Sequence, residues 1–242
     1  MPTHLYCLLP PGSSVAPPAS VRAIPLRAGV AWVSDADSPR LSRDARDAAR
    51  ATVEHDRVVS AALSAGVTPV PASLADPYAD DADLKSDVDV HADNIRLAYA
   101  RLAGMVEMTV IVAVHDEAPP ADAPNRGRAY LEQLKNLPAR AAEAAARVEH
   151  GLPQIPDVRR RAEGGQVAIS HLVPRTAEQT YRDAAAGMGG EGYRIVVDGP
   201  RAPYSFALFA PRRGLITDMW LGETNLVADR HDSGDLSRKN FG

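Results

Sequence analysis

Apolar runs alternate with polar, proline-rich breaks along the 242-residue chain, and the period of each run predicts its element. Leu5–Leu9 reads as a short strand stopped by Pro10-Pro11-Gly12, and residues 10–20 as a loop. Ala23 to Val33 supplies two short strands with Gly29 as the turn, placing Val30 and Trp32 on one face. From about Arg43 to Ala65, Ala48, Thr52, His55, Val59 and Ala62 recur at helical spacing, with Gly66 as the stop. Val67 to Pro71 is extended and interrupted by proline, an edge strand at most. A second helix, roughly Ala82 to Ala103, carries the stripe Leu84, Val88, His91, Ile95, Ala98 and Leu102 and ends at Gly104. Met105 to Val114, dense in valine and isoleucine, is the strongest strand signal.

This order predicts an α+β fold of two small domains. The first, residues 1–118, is expected to be ferredoxin-like, an antiparallel sheet with its helices on one face. A Pro/Ala/Asp linker at 119–125 leads to a second domain at 126–210, α/β in character with a long alanine-rich helix from Gly127 to Gly151. Pro138 predicts a kink or break in that helix. A hairpin about Glu163-Gly164-Gly165 follows, then a helix over Thr176–Ala186. The strands Tyr193–Val197 and Phe206–Phe209 are expected to complete a second sheet. The tail, 211–242, carries an amphipathic patch over Leu215–Val227 that should pack on the body, with fraying beyond it.

Composition narrows the function classes. No window is long and apolar enough to cross a bilayer, and Met1 runs into the first strand without a signal-like segment, so a soluble, cytoplasmic protein is expected. The single cysteine, Cys7, excludes an intramolecular disulfide and a multi-cysteine zinc site, and reads as a small buried residue. Residues 1–118 hold 10 basic against 16 acidic residues, a net of −6, whereas 119–210 hold 12 against 10, a net of +2. An acidic N-terminal half argues against nucleic acid as a partner.

The segment Asp198-Gly199-Pro200-Arg201-Ala202-Pro203-Tyr204-Ser205-Phe206 is the most distinctive in the chain. Two prolines remove backbone donors and Gly199 permits a turn, so it reads as a rigid, aromatic-anchored corner between two strands. "GPRAPYSFA" resembles the GP-W-PPYSF signature of the gas vesicle protein F/L family, with Arg201-Ala202 standing where the family has Trp-Pro. Five further segments are similar to that family in the same order. They are "LYCLL", "EHDRVVSAALSAGVTPVPAS", "LAGMVEMTVIVAV", "GRAYLEQLK" and "ISHLVPR", and together they span about residues 4–209. The resemblance implies an accessory protein of gas vesicle formation that binds the amphipathic shell protein and other accessory proteins, on a two-domain α/β fold without catalytic activity. It singles out His55, Glu107, Gly127, Arg128, Tyr130, Leu131, Gly199, Pro200, Pro203, Tyr204, Ser205 and Phe206 as motif positions.

Candidate chemistry is sparse. His55 and His91 lie on apolar helix faces and read as core histidines; the competing reading, a small-molecule enzyme on a ferredoxin-like fold, would use one of them with nearby aspartates. No paired-ligand spacing points to a metal, and no cofactor is implied. Asp76 to Asp93 holds seven aspartates, but Lys85 and the lack of glycine and glutamate break a calcium-loop pattern, leaving helix N-terminal charge or an acidic docking face. Gly187 to Gly192 follows a helix, the reverse of a phosphate-binding loop. Glu107, a carboxylate inside an apolar strand, demands a partner, and Arg128 is the expected one.

Overall fold

The computed structural model describes residues 1–35, 45–75, 77–115, 125–153, 155 and 157–216. The fold is α+β, built on two four-stranded antiparallel sheets. The first sheet joins β1 (Thr3–Leu9), β2 (Arg22–Leu26), β3 (Gly29–Asp35) and the two-residue β4 (Val70–Pro71) in the order β2-β3-β1-β4. Every residue of β1 is buried. A strand that is apolar at consecutive positions must be covered on both faces, and it is. Helix α1 (Ala45–Ser64) packs Val58, Val59 and Ala62 against Tyr6, Cys7, Leu9 and Trp32. On the opposite face, α2 (Asp81–Val90) and α3 (Ala92–Leu102) bury Leu84, Val88, Ile95 and Leu102 against Leu5, Leu8, Ala31 and Val33. The expectation of helices on one face is therefore corrected, because the run Leu5–Leu9 has no polar face to turn to water.

The second sheet has the order β6-β7-β5-β8, from β5 (Met105–Val114), β6 (Val158–Glu163), β7 (Gln166–Pro174) and β8 (Tyr193–Arg201). Strand β5, expected within the N-terminal domain, is instead an inner strand of this second sheet, paired with β7 and β8. Its alternate residues Val106, Met108, Val110 and Val112 meet α4 (Arg126–Gly151) and α5 (Glu178–Ala186) in a second core. Helix α4 runs through Pro138, which is exposed. The carbonyl that loses its donor, that of Leu134, belongs to an exposed residue where water can replace the bond.

Two more expectations change. The single helix at 82–103 is divided at His91, whose N–H turns back to the Val88 carbonyl at 3.1 Å. The strands 193–197 and 206–209 do not share a sheet. Beyond β8 the chain crosses back to the first sheet, where β9 (Leu208–Ala210) bridges Ala72 through Phe209 and pairs with β10 (Gly214–Ile216). Phe206 and Phe209 are fully buried in the first core. The corner at 198–206 thus carries the chain from one sheet to the other. The amphipathic patch expected over 215–227 falls within the described residues only at Leu215 and Ile216, where Leu215 packs on the first core.

Candidate binding cleft

The corner owes its shape to a register shift. Arg201 stands opposite Glu107 and Asp198 opposite Thr109, so Gly199 and Pro200 together face Met108. Gly199 has φ +120°, and a Cβ there would lie 2.7 Å from the Glu107 carbonyl oxygen. Only glycine lets the two backbones come this close. Pro200, without an N–H, sits where β8 is an edge strand with nothing to donate to. The guanidinium of Arg182 on α5 donates to the Gly199 carbonyl and holds the bulge from the other side.

Glu107 is 6% exposed, and its carboxylate grips the far end of the corner. The Ser205 N–H donates to Oε2 at 2.8 Å and the Ser205 hydroxyl to Oε1 at 2.7 Å. Burial pushes the Glu107 pKa up, and the Ser205 backbone and hydroxyl hydrogen bonds, with lesser help from Ser170 and Arg201, oppose that rise. The expected Glu107–Arg128 pair does not form. Arg128 lies exposed on α4 and pairs with Glu132, four residues on at 3.0 Å. Strand alternation explains this: Glu107 points to the face opposite the one α4 covers.

His55, on α1, is buried and its ring is held at both nitrogens. Nε2 donates to the Ala72 carbonyl at 2.9 Å, which leaves Nδ1 to accept from His4 Nε2 at 3.2 Å. Tyr6 completes a three-ring cluster, edge-on to His4 at 4.7 Å. His91, by contrast, turns its ring edge-on to Phe209 at 6.1 Å and packs against Gly214, where a Cβ would approach it to 2.5 Å. The two histidines of the enzyme reading are thus held in separate surroundings. Among the described residues no three His, Cys, Asp or Glu side chains are grouped to hold a metal ion.

Between α1 and the corner lies a cleft of about 590 Å³. His55, Glu107, Tyr204 and Ser205, remote in sequence, all line it, with Val53, Leu74 and Leu208 as apolar wall and Thr52, Asp56, Ser73 and Arg201 at its polar positions. Burial and the neighbouring Asp56 carboxylate push the Tyr204 phenol up, and Arg201 is held by Asp198 at 2.6 Å. Gly199, Pro200, Pro203 and Phe206 shape the corner from behind. Gly127, Arg128, Tyr130 and Leu131 stand apart from it, on the exposed first turns of α4.

The family model described as gas vesicle synthesis protein GvpL/GvpF matches residues 2–208. The chain belongs to the GvpL/GvpF family. Gas vesicle protein L of Streptomyces sp. (strain CB03234) is 32% identical to it, over 66% of this chain and 69% of that protein. Two crystal structures share the fold. GvpF from Anabaena sp. PCC7120 superimposes with a TM-score of 0.68 at 18% identity, covering 84% of this chain and 94% of that one. GvpF from Microcystis aeruginosa gives 0.63 at 14%, covering 85% and 98%. Membership of the GvpL/GvpF family implies a role in gas vesicle formation. No described helix of this family member is long and apolar enough to cross a membrane.

Sequence reasoning missed His4, and it did not single out Asp56 or Arg201 as lining a site. His4 falls in the apolar opening strand, and its alternation with Tyr6 toward one face was the available signal. Asp56 follows His55 directly in the segment "EHDRVV", but nothing local tells which side of the helix will face a cleft. Three of the aspartates in the acidic run are engaged within the fold. Asp80 caps α2 through the Ala82 and Asp83 N–H groups, Asp87 accepts from the Tyr78 hydroxyl at 2.6 Å, and Asp81 binds Arg22 at 2.7 Å. Arg22 holds the Asp81 carboxyl down at about 2, against an ordinary 3.8.

Proposed function

We propose that this protein is a non-enzymatic assembly factor that binds the amphipathic gas vesicle shell protein, together with other accessory proteins, during nucleation or growth of the vesicle, and that it works in the cytoplasm without a cofactor. The observation that carries this reading is the cleft. It has apolar walls and a polar rim, as a surface that grips one apolar face of a partner needs. Two of its titratable groups are already engaged in holding the fold: His55 at both ring nitrogens and Glu107 at both oxygens. A base or nucleophile would need a free, suitably placed group, and these two are spent on structure.

The test is genetic and biochemical together. Deleting the gene should abolish or sharply reduce vesicle yield and leave the shell protein in the insoluble fraction. Complementation with a Val53→Asp variant, altered at a 69% exposed wall position, should fail to restore yield although the variant folds. Unchanged vesicle yield in the deletion strain would contradict the reading.

A further inference from the structure

Helix α4 is longer than the surface it packs on. Its buried residues, Leu137, Ala141, Ala144, Ala145 and Val148, all lie from Leu137 onward, and none falls in its first three turns. At 3.6 residues per turn the same stripe runs on toward the N-terminus through Leu134 and Tyr130 to Gly127, with Leu131 on its edge. There Tyr130 is 39%, Leu131 60% and Leu134 37% exposed, and among the described residues none of them joins a packed core. An apolar stripe that continues beyond its own core is a face built for something else.

Charge and size say what covers it. Beyond Leu131 the helix presents Lys135 and Arg128, the latter paired with Glu132 at 3.0 Å, and on the other flank Arg126, so this stretch carries three cations against one carboxylate. A second copy of this face would bring basic flank against basic flank. Gly127, in the first turn of α4, is a poorer helix former than alanine. Nothing in the described chain lies within 4 Å of the place its Cβ would occupy, so no contact there requires glycine. A helix crossing closely over the first turn would require it. We infer that the overhanging half of α4 is a docking surface for an amphipathic helix of a partner protein whose apolar stripe is flanked by carboxylates, crossing near Gly127. This surface is separate from the cleft, and the inference stands whether or not the shell protein binds there.

The test uses the full chain and three synthetic peptides of about six helical turns with identical leucine stripes. One has glutamate on both flanks, one lysine, and one the glutamate composition scrambled. Fluorescence anisotropy should show saturable binding of the glutamate-flanked peptide alone, weakening as salt rises well past the ionic strength at which the screening length falls to about 10 Å. Leu131→Ser should lower that affinity at least tenfold. Gly127→Ala should also weaken it severalfold while leaving the melting temperature unchanged or raised, a split that a purely structural role for the residue cannot give. Equal binding of the lysine-flanked or scrambled peptide, no binding of the glutamate-flanked one, or indifference to Leu131→Ser would overturn the proposal. So would a protein that sediments as a dimer and becomes monomeric on Leu131→Ser, which would assign the face to a second copy.

Discussion

Removing the Glu107 carboxylate tests how the corner is held. In Glu107→Ala the buried Ser205 N–H loses its acceptor at 2.8 Å and the Ser205 hydroxyl loses its own at 2.7 Å. An orphaned buried donor costs about 1–3 kcal/mol, and a hydrogen bond to a charged group contributes about 1.5–3 kcal/mol. Against this, the variant escapes the burial of a charge that already raises the Glu107 pKa. The net expectation is a loss of about 2–4 kcal/mol. Glu107→Gln should behave differently. Its carbonyl oxygen can take the Ser205 N–H and its amide can donate to the Ser205 oxygen, so stability should stay within about 1 kcal/mol of the original. Ser205→Ala should cost about 1.5–3 kcal/mol, and the double variant should show coupling of about 0.5–3 kcal/mol. The assay is urea unfolding with a common slope across the wild type and the four variants. The glutamate also leaves a pH signature. Because its folded pKa is raised, its favourable contribution is fullest at or below the ordinary 4.5 and is lost as pH rises through the folded value, a trend absent in Glu107→Gln. A loss below about 1 kcal/mol in Glu107→Ala, or coupling indistinguishable from zero, would refute the claim that this contact closes the corner.

Three further outcomes follow from the same geometry. Gly199→Ala should destabilise by about 2–4 kcal/mol in thermal or urea unfolding, since φ +120° strains any side chain and the new Cβ meets the Glu107 carbonyl at 2.7 Å. Asp81, held down at about 2 by Arg22, contributes stability that is present above its ordinary 3.8 and lost as pH falls toward 2; the difference in melting temperature between wild type and Asp81→Asn should close over that interval. His171, buried with Nδ1 2.8 Å from the Tyr181 hydroxyl, is pushed down to about 4 by burial. Its contribution is present above 6.5 and lost as pH falls through 4, on the order of 3 kcal/mol, and His171→Gln should flatten the denaturation midpoint across that range.

Local signals carried most elements. Gly66 and Gly104 end helices with φ +90° and +70°, and the Gly164-Gly165 turn joins β6 to β7 as its composition implies. What local signals could not carry was partnership over distance. The valine-rich run at 105–114 announces a strand but not which sheet receives it; its neighbours β7 and β8 lie more than fifty residues ahead. Glu107 is legible as a residue in need of a partner, and charge alone points to an arginine. The true partner is a serine offering two donors from a turn that only the folded chain brings near. His55 was readable as a satisfied core histidine, whereas its partner His4, a tertiary neighbour fifty-one residues away, was not. The cleft itself has no linear signature, because four elements of separate sequence contribute its walls.

The proposal to be tested is that this GvpL/GvpF protein grips the shell protein in the cleft between α1 and the corner. The most direct measurement is co-expression of the two proteins, comparing soluble shell protein recovered with the wild type and with Val53→Asp, whose melting temperatures should agree. The account predicts that the wild type holds shell protein in solution and that the variant recovers at least tenfold less. Equal recovery by both would contradict it.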